Sequence, residues 1–383
     1  MASLPRAILH IGTEKTGTSS LQLFLSGNRT ALNANGFHYP RFPGAENHTL
    51  LSAYAQRDDV RDDLRIFAGV QSAGDLAAFR ARLEAQAGAE VEAHRDKVFV
   101  FSNEHCSSRL TRTDEVARLR EFLGRFFARI DVVVYLRRQD QVAVSLYSTL
   151  LKYGATSRDI LPAPGKRGID YLDYDTLLRR WASAFGECRV HPRIFERTQL
   201  AGGSVIEDFR RDWGLGPGLR SVSDANESLR PEAQEFLRLV NRHFPPFVDN
   251  APNPLRANLS EVIAEAYAGR GARPPRARAV AFLARFEEIN EAVRARWFPG
   301  RARLFDDDLS GYPEDGDPRE VPAEAAAEMA ALMWRRLRRQ QLRTSYDLAV
   351  ATGRIAELEG RPDDAAAAYR EAQTIDPGRP LAR

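Results

Sequence analysis

Residues 6–25, RAILHIGTEKTGTSSLQLFL, constrain the fold more than any other stretch, because they join a strand pattern, a glycine-bounded loop and a helix start. Ala7, Ile8, Leu9, His10 and Ile11 form the short apolar run of a strand covered on both faces, and Gly12 ends it. A helix follows at once. Leu21, Phe24 and Leu25 fall at helical spacing on its core side, while Thr18, Ser19 and Ser20 occupy the first turn, where backbone N–H groups have no intrahelical partner. Such an N-terminus attracts an anion: the helix dipole favours negative charge, Gly17 allows close backbone approach, and Lys15 reaches the same place from within the loop. Taken by itself, the stretch also fits a glycine-rich turn that only starts a helix.

At 383 residues the chain can bury a full α/β core with a tail to spare, so one large domain and a small appendage are expected. Basic and acidic residues nearly balance, 55 against 52, which gives no case for a nucleic-acid partner. Cys106 and Cys188 are the only cysteines, and their spacing suits neither zinc nor a disulfide framework. No apolar run approaches the length of a membrane span, and nothing before the first strand reads as a secretory leader. A cytoplasmic protein without a membrane span is therefore expected.

Two further strands end in chemistry. Residues 97–101, KVFVF, run directly into Ser102, Asn103, Glu104, His105 and Cys106. Ligands of open parallel sheets bind beyond the carboxyl ends of strands, so Glu104 or His105 is placed to take a proton from a bound hydroxyl. Either residue can instead be a capping group at a strand end. Residues 132–136 form the other strand; Arg137 stands at its carboxyl end, and the next helix carries Val142, Ser145, Leu146 and Leu150. The strand-to-helix turn can bring the Arg137 guanidinium and the Ser145 hydroxyl to one anion. The acidic triplet Asp306, Asp307 and Asp308 reads as a solvated loop rather than a metal site.

The order K-T-G-T-S-S at Lys15, Thr16, Gly17, Thr18, Ser19 and Ser20 is not the nucleotide-triphosphatase loop G-x-x-x-x-G-K-[ST], since Thr18 follows Gly17 and the lysine precedes it by two. It resembles the 5′-phosphosulfate loop of sulfotransferases that use 3′-phosphoadenosine 5′-phosphosulfate. Arg137 and Ser145, in an R-x7-S pattern with Tyr147 beyond, look like that family's 3′-phosphate motif. In arrangement the similarity covers about residues 5–310, including a helix, stop and strand over 171–200, a helix over 205–215, and a loop and helix over 226–244 typical of bacterial sulfotransferase domains. There are departures: Leu21 stands where the cytosolic family has a tryptophan, and a late R-K-G motif is missing.

The resemblance implies an α/β fold, a P-loop-type doubly wound parallel sheet flanked by helices, with a small all-helical C-terminal extension. It implies transfer of a sulfuryl group to a hydroxyl, less readily an amine, of a carbohydrate, glycolipid or small-molecule acceptor, with no metal required. Lys15 and residues Thr16, Gly17, Thr18, Ser19 and Ser20 would hold the 5′-phosphosulfate, Arg137 and Ser145 the 3′-phosphate, and Glu104 or His105 would be the base. Rival readings are an ATP- or GTP-dependent kinase with a degenerate phosphate loop, and a non-catalytic nucleotide-binding scaffold. Residues 1–310 are expected to form the sulfotransferase domain. Residues 311–383 are expected to be helical, with about 346–379 resembling one tetratricopeptide repeat through Gly353, Ala365, Tyr369, Ala372 and Pro377. One repeat cannot cover both of its faces, so it is expected to pack on the preceding helix, on the catalytic domain or on another subunit of a homo-oligomer, and less readily on a protein partner.

Overall fold

The computed structural model describes residues 4–163, 170–221, 228–248, 251–256 and 259–381. Strand β1 (Arg6–His10) leads through the glycine-bounded loop into helix α1 (Thr18–Gly27), followed by α2 (Arg29–Ala34) and the short strand β2 (Phe37–His38). Helices α3 (Thr49–Ala55), α4 (Asp63–Phe67) and α5 (Ala73–Ala93) precede β3 (Val98–Ser102). Then come α6 (His105–Arg109), α7 (Thr113–Gly124), β4 (Arg129–Leu136), α8 (Gln139–Lys152), α9 (Tyr174–Phe185) and β5 (Val190–Ile194). Beyond them lie α10 (Val205–Trp213), α11 (Pro231–Val240), the hairpin of β6 (Phe247–Val248) and β7 (Ala251–Pro252), α12 (Leu259–Tyr267), α13 (Arg276–Leu283), α14 (Glu287–Trp297), α15 (Ala323–Leu358) and α16 (Pro362–Ile375).

Strands β1 to β5 form one parallel sheet in the order β2-β3-β1-β4-β5. The three central strands β1, β3 and β4 are largely apolar on both faces, as burial on both sides requires. Ala7, Leu9, Phe99, Phe101, Val132 and Val134 join one core with residues of α3, α5, α7 and α9, whereas Ile8, Val100, Val133 and Tyr135 join a second core with α1, α2 and α10. Helices therefore cover both faces, giving the expected α/β sheet flanked by helices. β1 lies between β3 and β4, with Leu9 opposite Phe101 on one side and Val132 on the other. The chain leaves β1 toward one edge and later crosses to the other, so the crevice past the carboxyl end of β1 is the switch point of the sheet.

Within the mostly polar stretch 41–73, Leu51, Tyr54, Leu64 and Val70 belong to the first core. The reason lies in charge: Arg65, Arg80 and Arg118 donate to carbonyls of residues 53–57, where α3 ends, and so satisfy a helix terminus that would otherwise need water.

By its contacts the chain divides into two units built from interleaved segments. The first comprises Met1–Tyr147, Asp159–Asn226 and Arg273–Asp317, and holds the five-stranded sheet. The second comprises Ser148–Arg158, Glu227–Ala272 and Pro318–Arg383. In the second, α15 packs on α11 and α12 with Leu237, Ile263 and Met329 buried, and its later half forms a hairpin with α16. Gly353 makes that hairpin close: a Cβ there would meet the Tyr369 ring at 2.4 Å. Helix α15 runs unbroken for 36 residues, through the position at about 346 where the repeat-like stretch begins. Among the described residues no helix is long and apolar enough to cross a membrane.

Candidate active site

The loop after β1 is fixed by its neighbours. Ile11 N donates to Val133 O at 2.9 Å, and the Thr13 hydroxyl donates to Tyr135 O at 2.9 Å, so the loop continues along β4 before it turns. Thr16 is buried, and its hydroxyl closes the turn on Thr13 O at 2.6 Å. The turn needs left-handed backbone at Gly12 (φ +75°), Lys15 (φ +67°) and Gly17 (φ +75°). Lys15 is the only non-glycine residue in that region among those described. Gly17 caps α1 without a side-chain hydrogen bond, so the first turn of the helix opens toward the loop. Thr18 is buried, Ser19 exposed and Ser20 half-buried.

Glu104 stands directly beside this loop. A Cβ on Gly12 would lie 2.7 Å from Glu104 Cβ and 2.8 Å from its Cα, so only glycine allows the approach. The carboxylate is held from two sides: Gln22 Nε2 of α1 donates to Oε2 at 2.6 Å, and Asn47 Nδ2 lies 3.3 and 3.2 Å from the two oxygens. His105, the next residue, is tied through its backbone to Asn103 Oδ1 at 2.9 Å, and its Nδ1 is buried without a hydrogen-bond partner. Asn103 anchors the whole strand exit by donating to His48 O and Ser52 Oγ, each at 2.9 Å. Cys106 is spectator chemistry, since burial pushes its thiol up to about 12.

Arg137 reaches the loop from the carboxyl end of β4. Its Nη1 donates to the Lys15 carbonyl at 2.8 Å, its Nε to Gln141 Oε1 at 3.2 Å, and its guanidinium lies over the Phe195 ring. Burial lowers its pKa, with Tyr174 and Asp140 opposing that shift, and among the described residues it forms no ion pair with a carboxylate. Arg138 differs. It is buried in a bidentate pair with Asp140, at 2.8 and 3.0 Å, and also grips Asp306 Oδ1 at 2.7 Å. Ser145 sits half-buried on α8, about two helical turns past Arg137.

The structure thus gathers Lys15, Gly17, Arg137 and Glu104 around one loop, with residues 18–20 at the helix start. Four supporting residues escaped the sequence reading: Gln22, Asn47, Tyr171, whose hydroxyl accepts from Glu14 N, and Tyr174, whose hydroxyl donates to Arg137 O at 2.6 Å. Of these only Gln22 left a signal, as a polar residue buried within the apolar run of α1. Among the described residues no cluster of three or more histidine, cysteine or acidic side chains could hold a metal ion.

An uncharacterized protein of Archaeoglobus fulgidus is 28% identical to this chain over 224 residues, 56% of this chain and 59% of that protein. No family model matches the chain. No solved structure matches it either.

Proposed function

We propose that the chain is a sulfotransferase that moves a sulfuryl group from 3′-phosphoadenosine 5′-phosphosulfate to a hydroxyl of a carbohydrate, glycolipid or small-molecule acceptor. One observation carries this reading: Arg137, a half-buried guanidinium with no carboxylate partner among the described residues, is bonded to the Lys15 carbonyl beside a helix start that no side chain caps. A partly desolvated cation beside a helix N-terminus is complementary to an anion. The position of Lys15 before Gly17, rather than after it, favours a phosphosulfate over a magnesium-bound triphosphate.

In this reading Lys15 and the amides of residues 18–20 hold the 5′-phosphosulfate, and Arg137 with Ser145 holds the 3′-phosphate. The donor, when bound, supplies the sulfuryl group and leaves as adenosine 3′,5′-bisphosphate. Glu104 takes the proton of the attacking hydroxyl, and Lys15 opposes the charge that develops on the leaving oxygen. His105 is the second candidate for the base. Glu104 is favoured because Gln22, on the helix that starts at the loop, orients its carboxylate.

Calorimetric titration with adenosine 3′,5′-bisphosphate, against ATP with and without magnesium, tests the proposal. Metal-independent binding of the bisphosphate, weakened at least roughly tenfold in Arg137→Ala, is expected. Binding of magnesium-ATP alone would replace this reading with a kinase, and binding without transfer to any acceptor would favour a scaffold.

A further inference from the structure

Helix α15 carries an exposed stripe that its own fold does not use. Ala330, Trp334, Leu337, Gln341, Thr344, Leu348, Ala351, Ile355 and Leu358 follow one another at alternating steps of four and three. Five of them are large and open to solvent: Trp334 at 67%, Leu337 at 60%, Leu348 at 67%, Ile355 at 54% and Leu358 at 89%. The residues that α15 buries against α16, Tyr346, Ala349, Gly353 and Ala356, alternate with this set and lie on another face. A 3.5-residue repeat drifts by about 20° per heptad around a straight helix, so it stays on one seam only when the helix supercoils with a second helix.

We propose that this seam pairs, antiparallel, with the same seam of a second copy of the chain. Charge selects the partner and its direction. Arg335, Arg336, Arg338, Arg339 and Arg343 flank the first half of the stripe with no acidic residue between them, and of these only Arg336 stands within 4 Å of a described carboxylate, Glu265 at 3.9 Å. The second half carries Asp347, Glu357 and Glu359, of which Asp347 pairs with Arg379 and Glu359 with Arg361, so that with Arg354 its charges balance. Parallel pairing sets the five arginines of each copy beside one another, whereas antiparallel pairing sets them beside the charge-balanced half and so avoids most of that repulsion. In that direction Trp334 lies level with Leu358 of the partner subunit, and Leu337 with Ile355 of the partner subunit. The shared seam is about 36 Å long at 1.5 Å per residue. Gln341 and Thr344, polar and central, resist a slip of register.

The test is light scattering on the full chain during size-exclusion chromatography. The wild type is expected at twice the chain mass, and Leu337→Glu and Ile355→Glu, both at exposed positions, at the chain mass with an unchanged circular-dichroism melt. Direction is read by oxidative cross-linking in a Cys188→Ser background. Leu337→Cys mixed with Ile355→Cys should give a mixed cross-link, and self-linking of Leu337→Cys alone would overturn the antiparallel arrangement. A monomeric wild type, or a dimer indifferent to both glutamates, overturns the proposal. A monomer that binds phosphatidylserine vesicles and loses them in Leu337→Glu would assign the basic apolar stripe to a membrane surface instead. Binding of adenosine 3′,5′-bisphosphate should be equal in all these variants, which separates this inference from the reading of the active site.

Discussion

Arg138 donates twice to Asp140, which also accepts the Tyr312 hydroxyl at 2.6 Å, while the adjacent Arg137 turns to the loop and pairs with no described carboxylate. Arg138→Ala leaves the Asp140 charge buried, and a loss of about 3–5 kcal/mol is expected by urea unfolding; a loss under 1 kcal/mol would mean that water replaces the guanidinium. For turnover the decisive residues lie elsewhere. Lys15→Ala is expected to reduce it at least roughly a hundredfold, because the leaving charge then lacks its cation. Glu104→Gln should cost roughly 10²–10⁴-fold with the fold intact, since the amide keeps the shape but cannot take a proton. Initial rates with an accepted acceptor check both, and near-normal rates in either folded variant would remove that residue from the chemistry.

At the scale of elements, the exits of β1 and β3 are locked by two neutral histidines. His10 Nδ1 lies 2.8 Å from Ser102 Oγ; His48 Nδ1 accepts from Ser102 N at 3.1 Å, and its Nε2 donates to Pro40 O at 3.0 Å. Burial pushes both imidazoles down to about 3, from an ordinary value of 6.5. Between those values the unfolded chain binds more protons than the folded one, so stability is full above pH 6.5 and falls as the pH drops toward 3. Together the two histidines are expected to cost about 3 kcal/mol between pH 6.5 and 5, read from urea midpoints at each pH. Flat stability over that range would show that the strand exits admit the charged rings. The second sheet face is held differently: Asp208 of α10 accepts from Arg193 at 2.8 Å through each oxygen and from the Tyr135 hydroxyl at 2.9 Å. That fixes α10, whose Val205 lies against Gly17.

For the molecule as a whole, the interleaving of the two units has a practical consequence. A chain ending at Asp317 lacks α15, against which α11 and α12 pack, so residues 231–267 are expected to become sensitive to limited proteolysis; unchanged protection would show that these helices fold without α15. The units follow contacts, which return to distant segments, and so are not legible in composition, which changes only along the chain. Period and punctuation pointed to the strands, the glycine-bounded loop, the helix after it, and Lys15, Glu104 or His105, and Arg137 at the strand exits, because each rests on neighbours within a few residues. Tertiary structure decided the rest. Arg137 meets Lys15 across 122 positions, Gln22 meets Glu104 across 82, and Asn47 meets Glu104 across 57. No local pattern encodes such pairings; they exist because a parallel sheet places the carboxyl ends of β1, β3 and β4 side by side, and only the packed helices decide which side chains turn inward there.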